Sequence, residues 1–231
     1  MKNIKISLLL LLIFSMHNVH SFELSITDKA AEAYLHGEFN RGSVHEGNLS
    51  IIGELELNSL FLVRGGLSFG RAGEATDLRA FTTVGASPFD NIPLKFSLSW
   101  IYNGYIEFEA HSHSILPVIS YGTDIAGVSL GLNLRFTSFF NEPAQFESIL
   151  AFLLYFNFIN SEILRVGVNF GTYDELKARN LGAFALGFDV AVRINENWQI
   201  INKVTVMQSG AEGLSANFYG FIWKGGVRFS W

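Results

Sequence analysis

The stretch Asn217–Trp231 reads N-F-Y-G-F-I-W-K-G-G-V-R-F-S-W, and its reading decides the fold. From Tyr219, alternate positions are Tyr219, Phe221, Trp223, Gly225, Val227, Phe229 and Trp231. The positions between them are Gly220, Ile222, Lys224, Gly226, Arg228 and Ser230. Successive side chains of a strand point to opposite faces. One face is therefore apolar and aromatic along its whole length. The other is small, polar and, toward its end, cationic.

The same alternation recurs upstream. It predicts strands over Ala31 to Asn40, Asn48 to Leu57, Leu60 to Gly70, Asp77 to Ala86, Pro93 to Tyr102 and Ser114 to Tyr121. It continues over Ala126 to Ser138, Gln145 to Ile159, Ile163 to Phe170, Leu181 to Ile194 and Trp198 to Met207. With the closing strand these make twelve, or ten if the weak segments at Ala31 and Ser114 are discounted. Pro117 weakens the second of these, because proline gives no donor to a ladder. The apolar faces carry no Asp, Glu, Lys or Arg, Asn202 is a polar intrusion, and Gln145 to Ile159 is apolar on both faces. Turns after the even strands are short: Asn58-Ser59, Ser87 to Asn91, Gly122 to Asp124, Asn160 to Glu162 and Asn195 to Asn197. Connections after the odd strands are expected to run longer, roughly six to eleven residues.

Composition bounds the class. The 231 residues suit one domain. Charged residues are 16% and hydrophobic ones 49%, where a soluble domain carries about 25% charge. Cysteine is absent, which excludes a disulfide framework and a thiolate metal site. Lys2 and Lys5, the apolar run Ile6 to Phe14, and Val19-His20-Ser21 have the layout of a secretory signal over residues 1–21, with the mature chain starting near Phe22. Removing the two lysines takes 16 basic residues to 14 against 21 acidic, a formal charge of −7, which argues against a nucleic-acid partner.

The closing stretch resembles the C-terminal assembly signal of bacterial outer-membrane β-barrel proteins: polar, any, Gly, any, any, apolar, any, aromatic. Lys224, Gly226, Phe229 and Trp231 fill those places in order. The resemblance implies an all-β, transmembrane, up-and-down antiparallel barrel over residues 22–231, placed in the outer membrane. Its implied partners are outer-membrane lipid, the barrel-assembly machinery and periplasmic chaperones. Chain physics agrees with that reading. A secreted, apolar chain without a spanning helix enters a bilayer only as a closed barrel, since every backbone group must be paired within the protein. Tyr219 to Trp231 is twelve steps of about 3.3 Å. At a tilt near ~40° that gives roughly 30 Å of height, comparable to an apolar band of about 25 Å with its girdles. Phe39, Phe69, Trp100, Tyr102, Phe136 and Phe170 fall near one end of the strands, and Tyr121, Phe158, Trp198 and Trp231 near the other, as interfacial aromatic rings do.

The second face of each strand then lines the lumen. Its ionisable members include Glu54, Glu56, Arg64, Arg79, Lys95, Arg135, Arg165, Asp189, Arg193, Lys203, Lys224 and Arg228. Two readings stand side by side: a cationic pore lining that favours anionic or zwitterionic solutes, or an internal ion-pair network that plugs a narrow barrel. Inward Phe81, Ile101, Leu153 and Tyr155 favour partial occlusion. His111-Ser112-His113-Ser114, read as part of a loop from Asn103 to His113, is the one cluster of imidazoles and hydroxyls, but no carboxylate accompanies it to orient a ring. Glu107-Phe108-Glu109 and Asp174 to Lys177 read as solvated loop tips.

The expected function is a porin-like passive channel for small solutes or a structural surface barrel, without catalytic residues, metal or cofactor. The alternatives are an outer-membrane lipid or lipopolysaccharide hydrolase and a loop-mediated surface-binding protein. N-terminal sequencing of the exported protein is expected to begin at Phe22. A protein that retains Met1 after export removes the signal reading.

Overall fold

The computed structural model describes residues 26–40, 43–57, 60–72, 74–89, 91–139, 142–172, 183–209 and 217–231. Its strands are β1 (Ile26–Asn40), β2 (Ser43–Leu57), β3 (Phe61–Ala72), β4 (Ala75–Ala86), β5 (Leu94–Tyr105) and β6 (Ala110–Gly122). They continue as β7 (Ala126–Ser138), β8 (Gln145–Asn160), β9 (Leu164–Gly171), β10 (Ala183–Arg193), β11 (Trp198–Ser209) and β12 (Asn217–Ser230). Each strand pairs with its neighbours in sequence, and β12 returns to β1, so the sheet is a closed barrel of twelve antiparallel strands. The expected signal segment 1–21, the Asn58-Ser59 turn and the Asp174 to Lys177 tip lie outside the described residues. Among the described residues no helix is long and apolar enough to cross a membrane.

The closing seam runs from Ala30↔Ser230 to Phe39↔Phe221 without a register shift. The weak alternation of β1 is thus sufficient. Its partners fix its register on both sides, and a one-residue slip would turn Leu35 inward and Glu32 into the outer wall. β1 also starts earlier than the alternation suggests, because Ile26 already pairs with Leu57.

β6 is a full strand despite Pro117. Its ladder to β5 is continuous through Leu98↔Pro117, whereas on the β7 side the pairs at Leu116 and Pro117 are missing between Ile115↔Leu134 and Val118↔Gly131. The missing donor interrupts one ladder over two positions without moving the register.

The outer wall is apolar and exposed: Leu67 is 63% and Leu150 64% accessible, and Phe69, Trp100, Tyr121, Phe158, Trp198 and Trp231 also face out. Only an apolar solvent makes such a surface favourable. Asn202 interrupts it, but accepts a hydrogen bond from Trp223 Nε1 at 2.9 Å, so its carbonyl is satisfied within the wall.

The expected longer connections after odd strands are present at residues 139–144, 172–182 and 210–216, but the expectation is overturned at the first three. β1 and β2 are separated only by residues 41–42, β3 and β4 by 73–74, and β5 and β6 by a 3-10 turn (Ile106–Phe108) with Glu109 in a left-handed conformation at φ 46. The polar segments read as loops there are strand extensions, paired through Asn40↔Ser43, Ala72↔Ala75 and Tyr105↔Ala110. Backbone pairing continues beyond the apolar band because water tolerates polar side chains on both faces, so side-chain pattern does not mark where a hairpin ends.

Inside, Ile52, Phe81, Ile101, Leu116, Val118 and Ala151 form one buried apolar cluster, joined by Tyr34. From β8 only Ala151 joins this cluster; the same inward face carries Glu147 toward one end of the strand and Tyr155 and Asn157 toward the other, so β8 is not apolar on both faces throughout. Gly66 is needed beneath the cluster, since a Cβ there would lie 2.6 Å from the Phe81 ring and 2.9 Å from the Ile51 carbonyl. Gly66→Val is expected to destabilise the folded barrel by about 1–3 kcal/mol through overpacking, read as a lower urea midpoint by tryptophan fluorescence. Gly53→Ala, where nothing lies within 4 Å, is the control expected to show no change.

Candidate functional site

The lumen is built from the inward positions of all strands, and it is not uniform. The end at which β1 begins and β12 stops is called here the near end, and the opposite one the far end.

Toward the far end, Asp77 accepts hydrogen bonds from Asn48 Nδ2 at 2.8 Å and from Arg79 Nε at 3.0 Å, with all three residues buried. The Arg79 and Asp77 side chains also form an ion pair. Outside the sheet at this end, Glu107 accepts from the Thr76 hydroxyl at 2.5 Å and from the Thr76 backbone N–H. These bonds hold its exposed carboxyl below the usual carboxylate range. Glu107 therefore clasps the β3–β4 hairpin rather than standing as a solvated loop tip.

Toward the near end, two carboxylates and two guanidiniums alternate across the closing seam. Arg64 Nη2 donates to Glu32 Oε2 at 2.9 Å, and its Nε lies 3.5 Å from Glu54 Oε2. Arg228 donates to Glu32 Oε1 at 2.5 Å and to Glu54 Oε1 at 2.7 Å. The Tyr34 hydroxyl adds a bond to Glu32 at 2.8 Å. Register produces this arrangement, since Glu32↔Arg228 and Glu54↔Arg64 are direct cross-strand partners. Gly226 gives Tyr34 room to reach Glu32, because a Cβ there would sit 2.4 Å from the tyrosine ring.

On the far-end side of β7 and β8, Arg135 and its cross-strand partner Glu147 form a further ion pair. Arg64, Arg79, Arg135 and Arg228 are thus all paired with adjacent carboxylates, as in the ion-pair reading of the lumen rather than the cationic one. Burial explains the pairing, because an uncompensated buried charge is costly.

The remaining charged positions gather elsewhere. Arg165, Asp189, Arg193 and Lys203 border a polar cavity of about 510 Å³, with Glu32 and Arg228 on its other side. A second cavity of about 460 Å³, bordered by Thr123, Asp124, Tyr155 and Asn157, shares Arg165 and Asp189 with the first. Tyr155 and Asn157 are held there by bonds to the backbone carbonyls of Thr123, at 2.5 Å, and Asp124, at 2.6 Å. Asp189 accepts from Asn169 Nδ2 at 3.0 Å. Glu56 is half-buried opposite Asp28 and Leu62, and Lys95 is exposed opposite Ser120.

Sequence reasoning missed Glu32, Asp77 and Glu147 as partners of the arginines. The signal for Glu32 was its place on the inward face of β1, the strand that must meet Arg228 once the barrel closes.

His111 and His113 lie within β6 rather than in a loop. Both are exposed on its outer face, beside Tyr102 and Trp100; the His113 ring is 5.2 Å from Tyr102 and 5.7 Å from His111. Ser114 is wholly buried on the inward face, as alternation requires. The Ser–His pairing open at the sequence level is therefore not assembled from this run. Among the described residues no group of three metal-ligating side chains occurs.

Similar solved structures share this architecture. The KdgM porin in complex with disordered oligogalacturonate superposes with a TM-score of 0.59 at 8% identity, covering 87% of this chain and 99% of that one. The fold is that of outer-membrane porins. The NanC porin gives 0.60 at 7% identity, covering 86% and 98%. An outer-membrane channel from Pseudomonas putida F1 gives 0.50 at 10%, covering 93% and 98%. No family model and no curated protein matches the chain.

Glu32→Gln removes one of the two carboxylates that Arg64 and Arg228 share. It is expected to cost about 3 kcal/mol of barrel stability, near the low end for breaking a buried pair because the guanidinium heads keep some water contact. In a double-mutant cycle of urea midpoints, Glu32→Gln with Arg228→Gln should cost clearly less than the sum of the single changes. Strict additivity would show the network to be energetically idle.

Proposed function

We propose that the protein is a porin-like passive channel of the bacterial outer membrane that passes small polar solutes. The observation that carries this reading is the pairing of an apolar outer wall with an ionisable interior that holds cavities. Cavities of about 510 and 460 Å³ lie inside a closed barrel and are bordered by charged and amide side chains. A barrel with a purely structural role has no need to keep charged side chains around an unfilled interior. The porin architecture of the similar structures supports the same reading.

The near end, with both ends of the barrel sheet, is then periplasmic, and the hairpins at the far end face the cell exterior. The pore lining comprises Glu54, Glu56, Arg64, Arg79, Lys95, Arg135, Arg165, Asp189, Arg193, Lys203 and Arg228. Most of these hold the wall in shape, and the β9–β11 members meet solute. Lys224, Gly226, Phe229 and Trp231 address the chain to the assembly machinery, while outer-membrane lipid covers the apolar band. Periplasmic chaperones keep such an apolar chain soluble before insertion. The activity asked of the protein is passage of solute, which needs a wetted wall and no catalytic group.

Liposome swelling tests this directly. Proteoliposomes of the purified barrel are expected to swell in small uncharged sugars, and swelling should fall as the sugar grows. Vesicles that stay impermeable to every sugar, with lipid hydrolysis that Ser or His substitution abolishes, would replace the channel with an outer-membrane hydrolase.

A further inference from the structure

The lumen is filled on one side and hollow on the other. Inward side chains of β2, β4, β5, β6 and β8 meet in the apolar cluster, where Leu116 is 0% and Ile101 1% accessible. Water and ions have no space there, because protein interiors pack as densely as organic crystals. On β9 and β10 the inward positions are small instead: Gly167, Asn169, Gly171, Ala185, Gly187 and Ala191. Asn157 and Asn169 cover Gly167 and Gly187, and the two polar cavities lie toward the near end of this side, both bordered by Arg165 and Asp189.

We propose that solute crosses the barrel by an eccentric route confined to the β8–β12 sector, with Arg165 and Asp189 as the pair that sets its charge selectivity. The inference rests on the porin-like reading and gives it a substrate class, small anions. Arg165 and Arg193 have no side-chain ion pair among the described residues, unlike Arg64 and Arg79 of the opposite wall. Both border the same cavity, and Lys203 stands directly across from Asp189 on the neighbouring strand. At this cavity Arg165 and Arg193 face Asp189 beside the balanced network of Glu32, Glu54, Arg64 and Arg228, which leaves the lining positive, while at the second cavity Asp124 stands with Asp189 beside Arg165. Asp189 tempers that charge, so that an anion is attracted without being held, the balance conduction requires.

The chain contains no cysteine, which makes single substituted cysteines unambiguous reporters. Arg193→Cys, Gln199→Cys, Ile101→Cys and Leu116→Cys are made in the full-length protein, reconstituted in planar bilayers and exposed to a charged methanethiosulfonate. Modification is expected to lower conductance at positions 193 and 199 and to leave it unchanged at 101 and 116. In a salt gradient, Arg165→Gln should shift the reversal potential toward cation preference and Asp189→Asn toward stronger anion preference. Ile201→Cys and Val118→Cys replace any member of a class that fails to fold. Block at 101 or 116, or a conducting channel indifferent to all four sector substitutions, overturns the eccentric route while leaving the channel itself in place. A wild-type barrel that passes no current removes the porin-like reading and the route together.

Discussion

Backbone hydrogen bonding in a solvent that offers none is the constraint on which the rest depends. Each N–H and C=O of a membrane-spanning strand must find its partner within the protein, and an open sheet edge in hydrocarbon leaves a whole row unpaired. Closure between β1 and β12 removes the only two edges the sheet would have. The seam is also where the interior network sits. Glu32 and Arg228 face each other across it, and Glu54 and Arg64 extend the same network over β2 and β3. Closure and charge compensation meet at Arg228, which reaches Glu32 and Glu54 only when the first and last strands have met. A partly closed sheet would expose both an unpaired edge and unpaired charges, which favours an all-or-none final step.

Alternation made the wall legible. Period-two patterning separates the outer face from the inner because the two solvents differ so sharply, and strand count, direction and facing all follow from it. The exceptions were legible too, once partners were known. Asn202 is tolerated because Trp223 donates to it, and Pro117 because a single ladder can lose two pairs without losing register. The hairpin ends at the far side were not legible, because the lipid-imposed pattern stops where water begins while the backbone ladder does not. His111 and His113 were misplaced for this reason.

The interior was legible as a set of residues but not as an arrangement. Alternation placed Arg64, Arg79, Arg135 and Arg228 inward, and could not say which carboxylate each would meet. Those pairings depend on cross-strand register over separations as long as Glu32 to Arg228, and on diagonal reach between neighbouring rows. A count of bases against acids consequently overstated the cationic character of the wall. Of the inward arginines, Arg165 on β9 and Arg193 on β10 are the ones without a side-chain ion pair among the described residues.

Barrel size explains why filling and hollowing coexist. Eight strands enclose a space that side chains fill, and sixteen leave an aqueous channel. Twelve strands lie between, so side-chain volume decides. Distributed evenly, that volume would give a ring of partly hydrated side chains, with apolar atoms wetted all round. Concentrating Ile52, Phe81, Ile101 and Leu116 on one side buries them against each other and leaves Asp189, Ala191, Gln199 and Ile201 among the residues that border the remaining cavity. The same segregation keeps Arg79 and Asp77 dry enough to require each other, while Arg165 and Arg193 remain beside a cavity large enough for water. Their charge then needs no protein partner, because water can solvate it.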